Sequence, residues 1–459
     1  MSGSPPRPAH AAGFMPQVFA LIGFALYAWC FYPGAMSPDT AYAWSMARGS
    51  ETNNVQGVGL VWLFRLTDPW LPGPAGPFLC IQALFWAGLA LIASELPIRP
   101  AARVLVMLVA AAAPVCFVLL SHVWSDVALM AALSAAAGML LRYRRQGHSA
   151  WLVGAVLLLW WALTLRHNAL PAVVPLFAYA VYVWTMQQKI LFSKARGWRA
   201  VTALALASAL WLSSAALDRA VDHRVNALPS LALWDLTAIS LKAGSVLLPA
   251  DSHGPGLDLD DLRQAYTPYM NLSLFIGTRA GIGAPFLDPA DPRNDEIRDA
   301  WLAAIRNNPG AYLAHRWRLT RALFGTRLLE WPHELVYVDG ETAFGTNPPV
   351  APNGTALHAL IVRAFEAARA TPVLAAWPYL LLALVAMLHA WRHRGSANAQ
   401  AAFAVLSSGL LYAAPLPFIA PSAELRYLGW TCLAALIGAA LAFTSRPATG
   451  PSVAYPPAP

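Results

Sequence analysis

Charge is what this 459-residue chain has least of: 12% of its residues are Asp, Glu, Lys or Arg, against 58% hydrophobic. A soluble domain carries roughly 25% charged residues, so a cytosolic globular enzyme is excluded. The apolar surface needs the bilayer as its solvent. The same balance excludes disorder over most of the length. Cysteine is nearly absent. Cys30, Cys80, Cys116 and Cys432 all lie in apolar runs, which removes a disulfide framework and a Cys-rich zinc site. P-loop, Rossmann, HExxH and zinc-finger spacings are missing as well. A nucleic-acid partner would want one basic face on a folded domain, and none is supplied. Nor is there an internal repeat of the kind that builds inverted-repeat transporters.

The shortage of acid is uneven. Of 23 acidic residues, 17 lie in 218–372, a segment with 14 basic residues and a formal charge of −3. That segment reads as a water-exposed domain and the rest as membrane. Apolar stretches long enough to cross about 30 Å of hydrocarbon fall at 14–32, 77–96, 102–120, 126–141, 150–166, 168–186, 198–217, 373–391, 400–420 and 427–445. The first lacks a strong basic flank and a small-residue cleavage site, so it reads as a span and not a cleaved signal. The expected fold is an all-α polytopic membrane protein of about ten transmembrane helices with a mainly helical outer domain. Its parts are a flexible N-terminus 1–13, a seven-span module 14–217 with a first outer loop 33–76, the outer domain 218–372, a three-span module 373–445 and a flexible tail 446–459. Within the domain, 293–329 reads as a helix broken near Pro309, and 241–292 as loop with short helices.

Lys and Arg set the orientation. With the N-terminus inside, the inner loops hold Arg99, Arg103, Arg142, Arg144, Arg145, Lys189, Lys194, Arg196, Arg199, Arg392 and Arg394. Arg7 and Arg446 at the termini make 13 of the 17 basic residues outside the central domain. Only Arg48, Arg65, Arg166 and Arg426 fall on the other face. Both termini are therefore expected in the cytoplasm, with 33–76 and 218–372 outside.

The polar residues at the span ends then converge on the outer face. They are Ser37-Pro38-Asp39-Thr40 after the first span, His122 to Asp126 between the third and fourth, Arg166-His167-Asn168 between the fifth and sixth, and Glu424-Leu425-Arg426-Tyr427 before the last. Charge at a membrane boundary is a functional hypothesis by default. Ser37-Pro38-Asp39 fits an N-cap, a proline at N1 and a carboxylate in the first turn of a surface helix. The macrodipole keeps such a carboxylate ionised, which suits a general base. On spacing alone, a helix-stabilising Asp39 serves equally. Asp126 and Ser125 also read as caps, and His122 as an interfacial histidine or a substrate contact. Arg166 works against the orientation bias, which an anionic partner or snorkelling to headgroups would explain. Glu424 and Arg426 either pair with each other or bound a phosphate clamp with Tyr427. Trp124, Trp198, Trp377 and Trp430 read as interface anchors, while Trp44 and Trp62 are anchors or stacking surfaces for substrate.

A multispanning chain with an aspartate soon after span one, here in Phe31-Tyr32-Pro33-Gly34-Ala35-Met36-Ser37-Pro38-Asp39-Thr40, resembles the GT-C glycosyltransferases. Ser125-Asp126, Leu165-Arg166-His167-Asn168-Ala169 and Arg426-Tyr427-Leu428 fit the same pattern. Within that class the chain looks closest to bacterial relatives of the dolichyl-phosphate-mannose-protein mannosyltransferase group, family 39. The stretch 301–316, with Asn308-Pro309 and Tyr312 to Arg316, also looks like theirs. Where many relatives carry a His-Pro pair in the first loop, this chain reads Asn53-Asn54-Val55-Gln56-Gly57.

The resemblance implies a bacterial inner-membrane enzyme with a periplasmic domain, taking a polyprenyl-phosphate sugar donor to an envelope lipid, glycan or protein acceptor. In that assignment Asp39 is the base and Asp126 its catalytic companion. Arg166, His167, Arg426 and Tyr427 hold the donor phosphate, and His122, Trp44 and Glu424 are further substrate contacts. A divalent cation stays open, because two carboxylates and a histidine do not fix a coordination shell. Two other classes compete: a lipid or sugar flippase or transporter, and a non-catalytic assembly protein for envelope polysaccharide.

Orientation yields the first prediction. In a cysteine-free background, a membrane-impermeant thiol reagent applied from the periplasm should label Asp251→Cys and leave Ser193→Cys untouched. The reverse pattern would invert the topology and move the polar cluster to the cytoplasmic face.

Overall fold

The computed structural model describes residues 14–55, 57–188, 196–276, 281–283, 285–325, 347–351, 355–368 and 371–445, with backbone alone at 196–200. The terminal segments 1–13 and 446–459, with Arg7 and Arg446, lie outside the described residues, as do Lys189, Ser193, Lys194 and the side chains of Arg196, Trp198 and Arg199. Among the described residues the protein is 74% helix with no strand.

The helices are α1 (Met15–Phe31), α2 (Pro38–Ala47), α3 (Val58–Thr67), α4 (Ala75–Glu95), α5 (Pro100–Ala112), α6 (Pro114–Leu120), α7 (Ser125–Gln146), α8 (Ser149–Leu165), α9 (Leu170–Gln187) and α10 (Arg196–Arg219). They continue through the central segment as α11 (Leu228–Ala243), α12 (Leu259–Ala265), α13 (Arg293–Asn307), α14 (Pro309–Leu323) and α15 (Ala356–Ala368). The chain then closes with α16 (Trp377–Arg392), α17 (Ala397–Ala413), α18 (Leu416–Ile419) and α19 (Gly429–Phe443).

Each of the ten apolar stretches is helical, but fewer are long enough to span alone. Among the described residues six helices meet that test: Ala75–Glu95, Ser125–Gln146, Leu170–Gln187, Val201–Arg219, Ala397–Ile419 and Leu425–Phe443. A seventh is the pair α5 and α6, bent by 66°. Pro114 causes the bend: it drives Ala113 out of the helical region, to φ −56° and ψ 125°. The helix α1 has 17 residues, a rise of about 25 Å against roughly 30 Å of hydrocarbon. Large apolar side chains stay exposed along α1 (Leu21, Leu26, Trp29), α10 (Leu204, Leu212) and α16 (Leu381, Leu384, Leu388), as a lipid-facing surface requires.

The best-buried span is α7, which packs on α4, α8 and α19, while α17 joins α9 to α19. Small residues allow the closest crossing. A Cβ on Gly88 of α4 would lie 2.7 Å from the Ala135 backbone nitrogen of α7, the small-residue contact usual between membrane helices. The remaining acid outside the central segment and its face is Glu95, 3% exposed and paired with Arg142 and Arg145, both at 3.1 Å.

The central segment folds on α11, against which α12, α13 and α14 pack. The expected break near Pro309 is present: Asn308 lies at φ −134° and ψ 53°, between α13 and α14. The helix is described only to Leu323, short of residue 329. Arg316 and His315 are not surface residues. Both are 2% exposed and converge on Asp235 of α11, with distances of 2.7 Å from Arg316 and 3.2 Å from His315. Trp301 Nε1 donates to the same carboxylate at 2.9 Å. Tyr266 Oη lies 2.8 Å from His315 Nδ1. The domain grips the first loop through Thr52, whose N and Oγ1 donate to Asp222 at 2.8 and 2.9 Å. Those bonds hold the Asp222 carboxyl below its ordinary range.

Burial pushes the His315 pKa below its ordinary 6.5, outweighing the adjacent Asp235 carboxylate, which acts in the opposite direction. The folded protein therefore holds this imidazole neutral where the unfolded chain, at about 6.5, takes up a proton. Its stability contribution is complete above that pH and declines as pH falls below it. Melting curves between pH 7.5 and 5.5 should show a steeper loss for the native protein than for His315→Gln; parallel slopes would remove His315 from the acid response.

Candidate active site

Three connections meet at the end of the bundle that carries the central segment. The α1–α2 turn pairs with the α6–α7 turn as a short parallel bridge: Ala35 N donates to Ser121 O and Val123 N to Ala35 O, both at 2.9 Å. Thr40 Oγ1 donates to Val123 O at 2.7 Å and Trp124 Nε1 to Ser37 Oγ at 2.8 Å. Ser37 is the N-cap residue of α2, Pro38 stands in its first turn and Asp39 follows, as the sequence pattern predicts. The Ser37 hydroxyl makes no cap bond and instead receives the Trp124 indole. The third connection, 420–428, is tied to the central segment by Asn271 N donating to Pro421 O at 2.9 Å and Ala423 N to Tyr269 O at 2.8 Å.

With Arg166 from the α8–α9 connection, they bring five charges together. Asp126, its side chain 1% exposed, lies 3.2 Å from Arg166 Nε and 4.0 Å from Arg426 Nε. Arg426 also pairs with Glu424, and its Nη1 reaches Asp39 Oδ2 at 2.8 Å. Ser422 Oγ donates to Glu424 at 2.6 Å and lies 3.1 Å from the Tyr427 hydroxyl. Aromatic faces complete the setting. Arg166 lies 5.2 Å from the Tyr427 ring, and Arg426 lies 5.1 Å from Trp124 and 5.4 Å from Tyr427. Burial works against the charged form of Arg166, yet Asp126 beside it raises its pKa above the ordinary arginine value.

A cavity of about 540 Å³ opens on this cluster. Asp39, Arg166, His167, Glu424, Arg426 and Tyr427 form its polar lining. Leu228, Leu231, Met270, Phe286, Leu416 and Ile419 supply apolar lining. The Asp39 carboxylate is the most open of the three, with 43% of its side chain exposed.

Three candidates from the sequence do not line the cavity. Trp44 is fully buried, stacks on Phe64 with ring centroids 6.4 Å apart and donates to Asp68 at 2.6 Å, so it is a packing residue and not a substrate surface. His122 is 2% exposed and stacks on Trp124 at 4.0 Å. Burial pushes its pKa down to about 3, leaving it neutral behind the site. Asp126 stands beneath the arginines and positions them. His167 does line the cavity, and its Nε2 lies 3.3 Å from Asp218. Trp124 and Trp430, expected as interface anchors, are 5% and 1% exposed. Among the described residues no group of three or more His, Cys, Asp or Glu side chains is arranged to hold a metal ion. The carboxylates here face guanidinium groups instead.

The sequence reading missed the Asp235 cluster, although one signal was present. Asp235 is the single acid in the mostly apolar α11, and a carboxylate in the middle of such a stretch asks for a buried partner. The partner, Arg316, also donates from Nη1 to Ala420 O at 3.1 Å, tying the domain interior to the 420–428 connection. Compared with protein-family models, curated proteins and solved structures, the chain has no significant match.

The pairing of Arg166 with Asp126 carries a stability prediction. Removing one partner of a buried pair costs up to about 3–5 kcal/mol, because the other charge stays buried. Arg166→Ala should lower the melting temperature, and Asp126→Asn in the same molecule should restore much of it. Additive losses would show that the two side chains are not coupled.

Proposed function

We propose that the chain is a GT-C-type glycosyltransferase of about ten transmembrane helices in a bacterial inner membrane, with both termini cytoplasmic and the central domain periplasmic. It moves a sugar from a polyprenyl-phosphate donor to an envelope lipid, glycan or protein. The observation that carries this reading is the composition of one cavity, whose lining combines two arginines and a half-open carboxylate with several large apolar side chains. An amphiphile with a phosphate between its sugar and its hydrocarbon matches both kinds of lining. Among the lining residues Leu272 and Ile419 are also partly open to solvent, apolar surface against which a prenyl chain would lie.

In this mechanism Arg166 and Arg426 hold the donor phosphate, with Tyr427 beside them. Asp39 removes the proton from an acceptor hydroxyl. That oxygen attacks the anomeric carbon, the bond from this carbon to the phosphate oxygen breaks, and polyprenyl phosphate departs with its charge on the arginines. Attack opposite the leaving group inverts the anomeric configuration. Asp126 acts through the arginines it orients, and no step requires a nucleotide or a metal ion. The ion cluster sits at the ends of the helices and not at mid-span, which favours chemistry at the mouth over a transport pathway through the bundle.

Asp39→Asn should reduce transfer from a polyprenyl-phosphate sugar by about 10²–10⁴ while the melting curve stays near native, since the Asp39 side chain is 43% exposed and an ion pair that open to water adds little stability. Glycan and lipid analysis of cells with and without the chain would identify the acceptor. Near-normal transfer by the Asn variant would leave Asp39 as a helix-start residue alone.

A further inference from the structure

We infer that the donor phosphate and Asp39 compete for Arg426, so that donor binding releases the base. The inference rests on the glycosyltransferase reading above and adds an order of events to it.

Among the described residues Arg166 and Arg426 are the two permanently cationic side chains that line the cavity. Both already face carboxylates. Arg166 pairs with Asp126 at 3.2 Å, and Arg426 pairs with Glu424 and with Asp39 at 2.8 Å, with Asp126 4.0 Å away. Three carboxylates therefore surround two guanidinium groups. A fourth anion can approach Arg426 at close range only when one of them moves aside, since like charges at that distance repel strongly in a partly dry site.

The three do not yield equally. Asp126 is 1% exposed, and without its guanidinium partners it would be a buried, unpaired charge. Glu424 is 22% exposed, sits two residues from Arg426 on the same turn and is held by the Ser422 hydroxyl at 2.6 Å. Asp39 is 43% exposed and comes from a different element, the first turn of α2. Water can take over its solvation, and the α2 N-terminus continues to favour its ionised form. Asp39 is the carboxylate that moves at least cost.

In the empty site Arg426 thus occupies the base, and an acceptor hydroxyl meets a carboxylate already engaged in an ion pair. Phosphate exchanges with Asp39 on the guanidinium, and the freed carboxylate turns to the acceptor. The donor binds first, and proton removal waits for it.

Farnesyl phosphate, a short prenyl monophosphate, tests this exchange by calorimetric titration into the purified full-length protein in detergent. Removing the competitor should tighten binding about five- to tenfold in both Asp39→Asn and Asp39→Ala, the scale of a partly exposed ion pair. Uncharged farnesol should bind the native protein and both variants alike. Unchanged or weaker binding of farnesyl phosphate to the variants overturns the inference. Where they differ, the Ala variant decides, because its side chain keeps no hydrogen bond to Arg426. Sugar transfer by Asp39→Asn reports separately on the base assignment. Loss of transfer with unchanged phosphate affinity retains the base and discards the exchange, whereas tighter binding with transfer intact does the reverse. A native protein that does not bind farnesyl phosphate at all discards the donor reading and the exchange together.

Discussion

A carboxylate almost wholly removed from water has to be matched by positive charge, and Asp126 is such a group, with 1% of its side chain exposed at the start of the most buried span. Leaving it unpaired would cost several kcal/mol or force it neutral. The guanidinium groups that match it come from two connections far apart in sequence, Arg166 after α8 and Arg426 before α19. Satisfying one buried charge therefore positions two loops. Those loops bring Glu424 and Tyr427 with them, and Arg426 in turn reaches Asp39 on α2. The cavity is the space these constraints leave between the membrane bundle and the central domain.

The same connections are held a second time from above and below. The Ala35–His122 bridge and the Trp124–Ser37 bond register α2 against α7. Arg316 reaches out of the domain core to Ala420 O, while Tyr269 and Asn271 pair with the 421–423 backbone. Charge balance inside the domain, set by Asp235, thus bears on the position of a loop that carries Arg426. Backbone held by hydrogen bonds at several points keeps charged side chains within a few tenths of an ångström of useful geometry, which long side chains on free loops would not achieve.

How much of this can be read in the residues depends on the distance over which each interaction acts. The helical, membrane-type fold follows from composition alone, because hydropathy is additive along the chain. The start of α2 is legible since Ser37, Pro38 and Asp39 act on their own turn. Arg166 and Arg426 are visible as cations on the face where cations are scarce, though their shared partner is not. Trp44 misleads, because the group that captures its indole, Asp68, lies 24 residues away in a loop with no periodic signal. Arg316 misleads for the same reason, its partner being 81 residues distant. Span number is harder still. Pro114 splits one apolar run into two helices at a 66° bend, and hydropathy averaged over a window does not register the change of direction.

Among the described residues three carboxylates face two arginines, and that arrangement most constrains chemistry here. A site built only to bind an anion would leave its cations open, as phosphate-binding clusters of arginine do. A purely structural cluster would pair its charges evenly and bury them. This one buries Asp126, half-shelters Glu424 and leaves Asp39 on the cavity surface, so the most solvent-open carboxylate is the one from α2. A carboxylate at that position has two fates when an anion enters: it becomes protonated, or it moves away from the guanidinium it shared. Only the second serves the proposed reaction, because a carboxyl group that already holds a proton cannot take the acceptor's, whereas a carboxylate that has left Arg426 can.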